Sequence, residues 1–103
     1  MSLREAFIIL VPDVDPGVNR TEIVLPHYEF YTILVSDFEM AKIEAKKIVK
    51  EKDIHGLILC AGFSNENVGD MSRELGDKVG TLVVRGDSRS NKIIDKAITD
   101  AKW

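Results

Sequence analysis

Four stretches of the chain are apolar at consecutive positions rather than at every second one: Ala6–Val11, Glu29–Val35, His55–Ala61 and Val79–Arg85. Short runs of this kind, rich in β-branched and aromatic residues, read as strands with both faces covered. A fifth segment, Thr21–Leu25, reads as a short strand closed by Pro26. A proline cannot donate to a ladder, so this strand is expected at a sheet edge. Between the first two strands, Asp13 to Arg20 holds Pro16 and Gly17 and reads as a loop begun by aspartates.

The helical pattern has a different period. Phe38, Ala41, Ala45, Ile48 and Val49 fall on one side of a helix expected over about Asp37–Lys52, with Glu39, Lys42, Lys46 and Lys50 elsewhere. Ser36-Asp37-Phe38-Glu39 has the spacing of a capping box, with Ser36 as the expected N-cap. A second helix starts at Ser64 or Asn65, carries Val68, Met71 and Leu75 on a narrow face, and stops at Gly76. A third follows the Gly86–Ser90 loop, marked by Ile94, Ala97, Ile98 and Ala101. From Glu29 onward strand and helix alternate, which means right-handed crossovers. The expected fold class is α/β: a mostly parallel sheet of four to five strands with three helices, in a single domain spanning residues 1–103.

Composition narrows the function classes. Of 103 residues, 45% are hydrophobic and 30% charged, which suits a folded domain rather than a disordered one. The 17 acids outnumber the 14 bases, and the bases form no stripe, so nucleic acid is not an expected partner. No apolar run approaches the roughly 20 residues needed to span a bilayer, so no membrane partner is expected either. The first residues lack a signal-peptide layout, and the expected location is the cytoplasm. One cysteine excludes an internal disulfide.

Four blocks resemble a family of small prokaryotic proteins of unknown function. They are Phe7-Ile8-Ile9-Leu10-Val11-Pro12-Asp13-Val14-Asp15-Pro16, Val35-Ser36-Asp37-Phe38-Glu39, Leu59-Cys60-Ala61-Gly62-Phe63-Ser64-Asn65-Glu66 and Val83-Val84-Arg85. This chain has Ala61-Gly62 where the family has two glycines, and Asp87-Ser88-Arg89-Ser90 where the family has a His-Pro-Gly-like tail. The resemblance supports the fold reading and implies no reaction.

In an open parallel sheet, loops and helix N-termini converge beyond the carboxyl ends of the strands. Parallel strands here would bring together Asp13 and Asp15, Ser36, Cys60 to Glu66, and Arg85 to Asp87. The turn Gly62-Phe63-Ser64-Asn65-Glu66 leads into a helix start, where free amides favour phosphate or carboxylate. It lacks the spacing of a nucleotide-binding loop, and as a plain strand-to-helix connection it needs no ligand at all. Arg85 either clamps an anion or pairs with Asp87. Asp13 and Asp15 are weak candidates for a hard cation, against the reading that they begin a turn. Cys60 is a weak nucleophile candidate in an apolar strand. His55, at the other end of that strand, lies about 16 Å from it.

The leading expectation is therefore a binding or assembly module that holds a small anionic ligand with Gly62, Phe63, Ser64, Asn65, Glu66, Arg85, Asp87 and Asp13. One alternative is a small enzyme using Cys60 or an Asp13/Asp15/Glu66 carboxylate cluster, and another is a structural oligomer subunit. No cofactor is specified. Strands apolar on both sides, with few helices to cover them, point to a homo-oligomer, in the first instance a dimer.

Overall fold

The computed structural model describes all 103 residues. Its elements, in chain order, are β1 (Leu3–Leu10), β2 (Arg20–Val24), β3 (Tyr28–Val35), α1 (Phe38–Lys52), β4 (Gly56–Leu59), α2 (Asn65–Leu75), β5 (Gly80–Val83) and α3 (Ser88–Asp100). The strands form one sheet in the order β2-β3-β1-β4-β5. β1 lies parallel to β3 and to β4, and β4 parallel to β5, while β2 runs antiparallel to β3. The sheet is thus mostly parallel, and β2, closed by Pro26, occupies an edge.

Taken alone, the parallel strands follow the order second-first-third-fourth, as in doubly wound sheets of the flavodoxin kind. Such an order reverses direction once, so crossovers on the two sides of the reversal place helices on opposite faces. Here the passage from β1 to β3 contains β2 instead of a helix. One face therefore loses the helix that would have covered it.

The strand register makes the consequence visible. Ala6 and Ile8 lie beside Tyr31 and Ile33 on one flank and Leu57 and Leu59 on the other, and all six are buried. Ala41, Ala45 and Ile48 of α1 and Met71 of α2 close over this face. The residues between them point the other way: Phe7 with Thr32 and Ile58, Ile9 with Leu34, and Ile58 with Leu82. None of these is fully buried, and Leu82 is 50% exposed. Adjacent positions of one strand thus have different fates, because side chains alternate across the sheet.

Local chemistry sets the helix ends. The N-cap of α1 is Asp37, whose carboxylate accepts from the Met40 amide at 2.8 Å. This corrects the expected Ser36 capping box by one residue. β3 carries the chain extended to Val35, and the Ser36 hydroxyl instead points to the Met40 thioether. α1 ends at Asp53 in the left-handed region, φ 53°, a conformation that Asp and Asn adopt more readily than other side chains. In α2, Ser64 is the cap, and a reciprocal pair of bonds with Asn67 forms the box. Gly76, at φ 75°, stops that helix as expected.

Candidate functional site

Because β1, β3, β4 and β5 are parallel, their carboxyl ends lie along one sheet edge. The loops after β4 and β5 meet there through Arg85. Its guanidinium donates to the carbonyl oxygens of Ala61 at 3.2 Å and Phe63 at 2.9 Å, and to Asn65 Oδ1 at 3.0 Å. Arg85 has five N–H groups, so these bonds leave part of its donor capacity unused.

Each expected residue finds a definite place. Phe63 is buried, its ring edge-on to Phe38, and only its carbonyl serves the edge. Ser64 is spent on capping α2, so the amides of Asn65 and Glu66 are the helix-start donors outside the box. Glu66 lines a groove along the outside of α2 with Asn65, Gly69, Asp70 and Arg73. Asp87 does not pair with Arg85. It caps α3, accepting from the Ser90 amide at 2.7 Å, and that hydrogen bond holds its carboxyl below the usual range.

Asp13, just beyond β1, sits at φ 58°, outside the cleft described below. Asp15 starts a turn: its carboxylate accepts from the Gly17 amide, and its carbonyl from Val18 and Asn19. No three His, Cys, Asp or Glu side chains form a group able to hold a metal ion. Asp13, Asp15 and Glu66 form no such group: the two aspartates share the connection between β1 and β2, and Glu66 is in the first turn of α2. Cys60 is half-buried, and its Sγ accepts the Leu10 amide at 3.3 Å. His55 is occupied at the amino end of β4, where its Nδ1 accepts from the Arg4 amide.

An open cleft of about 440 Å³ lies between the β4 and β5 ends and α3. Gly62 and Arg85 form one wall, with Val84 between the strand and the loop. The opposite wall consists of Ser90, Asn91, Ile94, Asp95 and Ile98. Sequence reasoning missed that second wall. Its signal was present in the spacing, since positions 90, 91, 94, 95 and 98 recur on one side of a helix. Gly62 packs closely here: a Cβ at this position would lie 3.3 Å from Leu10 Cδ2.

The cleft combines the Arg85 guanidinium, the Asp95 carboxylate and the Ser90 and Asn91 side chains with a larger apolar lining from Ala61, Val84, Ile94 and Ile98. No helix is long and apolar enough to cross a membrane.

Strand order and helix placement define an α/β protein with a mostly parallel sheet covered on one face. The chain belongs to a family of unknown function, DUF6506, whose model matches residues 3–99. No curated protein and no solved structure matches it.

Proposed function

We propose that this protein is a self-associating binding module: a homodimer joined through the open sheet face, with a small anionic ligand at the carboxyl edge. The observation that carries the reading is the uncovered face of Phe7, Ile9, Leu34, Ile58 and Leu82. Phe7, Ile9, Leu34 and Ile58 are half-buried and Leu82 is 50% exposed, so each leaves unrealised a part of the about 1.5–3 kcal/mol that full burial contributes. A second copy presenting the same face is the simplest cover. Arg85, the helix-start amides of α2 and the Ser90 and Asn91 side chains of α3 support the ligand half of the reading, against the Asp95 carboxylate on the same wall.

Sedimentation velocity at micromolar concentration tests association. The expected species has twice the 11.5 kDa mass of the chain, and a single 11.5 kDa species overturns the dimer. A thermal-shift screen of phosphates, nucleotides and dicarboxylates tests the ligand. At least one stabiliser is expected, with its effect lost in Arg85→Ala. A blank screen, or an effect that survives the substitution, overturns the site.

A further inference from the structure

We infer that α3 is a lid on its own domain: turning as a unit at Gly86, it packs Ile94 and Ile98 onto Val84 and Ala61 of the same chain and shuts the 440 Å³ cleft between them. The closed lid covers the edge to which the ligand is assigned above. The closure itself needs neither a ligand nor a second copy.

The chain is anchored only as far as Arg85. The Val84 amide donates to the Leu59 carbonyl at 2.9 Å, and the Arg85 guanidinium is bonded to Ala61, Phe63 and Asn65. Beyond that point every hydrogen bond and ion pair stays within residues 86–103. Asp87 caps the helix through Ser90, Asn91 donates to the Gly86 carbonyl, and Lys96 pairs with Asp100. The Lys102 and Trp103 amides turn back onto α3 itself. Cap, helix and tail are therefore one piece hung from a single connection, and the pivot falls at Gly86, the residue with the widest backbone range.

Across the cleft α3 meets its complement in its own chain. Ile94 and Ile98 stand opposite Ala61 and Val84, and Asp95 stands on the wall opposite Arg85. Three bonds leave two of the five Arg85 N–H groups unused, and the Asp95 carboxylate enters none of the ion pairs. Open, the arrangement wets both walls: α3 has no buried residue, Ile94 is 57% exposed and Val84 45%. A helix of 13 residues with no packed face is marginal in water, so this stripe has to find cover.

The same chain is the nearer cover. A short tether holds the two walls together at an effective concentration in about the millimolar range, above that of a second copy in micromolar solution. The width fits as well, since a helix about 10 Å across matches two strand ends about 4.8 Å apart and no more of the sheet. The lid therefore stays at the β4 and β5 edge, and Leu82 and the face over β1 and β3 remain open.

Hydrogen–deuterium exchange of the full chain, read peptide by peptide, tests the lid. Wild type, Ile94→Ala, Val84→Ala and Ile93→Ala are compared across a dilution series, with the β1 amides as internal reference. Alanine is the best helix former, so lost protection in α3 cannot come from helix propensity. Ile93 is the control, because it lies on α3 but does not line the cleft. Wild-type α3 amides should exchange at a rate independent of concentration, and at least about tenfold more slowly than in Ile94→Ala or Val84→Ala. Ile93→Ala should leave that rate within about twofold of wild type. Val84 precedes the pivot, so its effect on α3 reads the contact directly.

Exchange in α3 that neither Ile94→Ala nor Val84→Ala changes overturns the lid, because the cleft then stays open in solution. Protection that disappears on dilution overturns it in favour of a second copy. An Ile93→Ala effect equal to that of Ile94→Ala, or acceleration shared equally by the β1 amides, also overturns it, because the loss then comes from the helix or the whole fold rather than from the cleft. None of these outcomes decides the ligand screen, which stands on Arg85.

Discussion

Arg85 donates to the Phe63 carbonyl at 2.9 Å, tying the end of β5 to the turn that follows β4. The ring of Phe63 is in the core while its carbonyl faces the edge, so this one residue couples core packing to the loop. Two further bonds, to Ala61 and Asn65, make the guanidinium a bracket across the whole turn. Only the bond to Phe63 is sheltered from water.

Arg85→Ala should therefore lower stability by about 1–2 kcal/mol, the scale of a partly exposed bond from a charged donor. Arg85→Lys should recover less than half of that, because an ammonium lacks the planar fork that reaches several acceptors. Urea titration of the three proteins measures this. Equal midpoints for Arg85→Lys and wild type would show that charge alone suffices.

The cap of α1 gives a paired prediction. The Asp37 carboxylate holds the Met40 amide, whereas Ser36 touches only the thioether. Asp37→Ala should cost about 0.5–2 kcal/mol, and Ser36→Ala close to nothing. Denaturant midpoints that fall more for Ser36→Ala than for Asp37→Ala would return the cap to Ser36.

This cap shows where sequence reading stops. Ser36 and Asp37 are both good capping residues, and the Ser-x-x-Glu spacing favoured the first. The choice was made by the length of β3, which holds the backbone extended through Val35. The five strands, the edge place of β2 and the stop at Gly76 were legible because period, proline and glycine act locally. Strand order was not, since it depends on which pairings the whole chain closes. The convergence of the β4 and β5 loops followed from parallel strands alone. The role of Arg85 did not, because its acceptors include backbone carbonyls, which every residue carries. The spacing puts Ser90, Asn91 and Ile94 on one side of α3, but what that side faces depends on where α3 leaves the sheet, which no local pattern encodes.

Alternate strand positions should respond differently to truncation. Leu59 is fully buried under α1 and α2, so Leu59→Ala should cost about 2–5 kcal/mol at any protein concentration. Under the proposed dimer, Leu82→Ala, on the open face, should cost little when the chain is dilute and progressively more as its concentration rises. Thermal midpoints over a concentration series check this. A Leu82→Ala penalty that is large and independent of concentration would mean that the open face is covered within one chain.

Tyr31 makes alkaline stability a readout of the covered face. Its hydroxyl donates to Glu29 Oε1 at 2.6 Å, and its pKa is pushed up to about 12 from 10.0. The hydrogen bond to the carboxylate is the main cause: ionisation removes the donor and sets two anions side by side, and burial adds to the effect. A tyrosine whose folded pKa is raised favours the protonated fold. The stability it contributes is complete below pH 10 and is lost as pH rises from 10 towards 12. Tyr28 is shifted the same way, chiefly by burial and then by its bond to Glu5, so it adds a second, separate contribution. Tyr31→Phe should cost about 0.5–1.5 kcal/mol at neutral pH, through the lost bond. It should also make the fall in stability between pH 10 and 12 shallower without abolishing it, since Tyr28 remains. Urea midpoints across this pH range, paired with ultraviolet difference titration of the tyrosines, measure both effects. An alkaline slope identical to wild type would show that Tyr31 ionises at its ordinary value and that the bond to Glu29 is not held in solution.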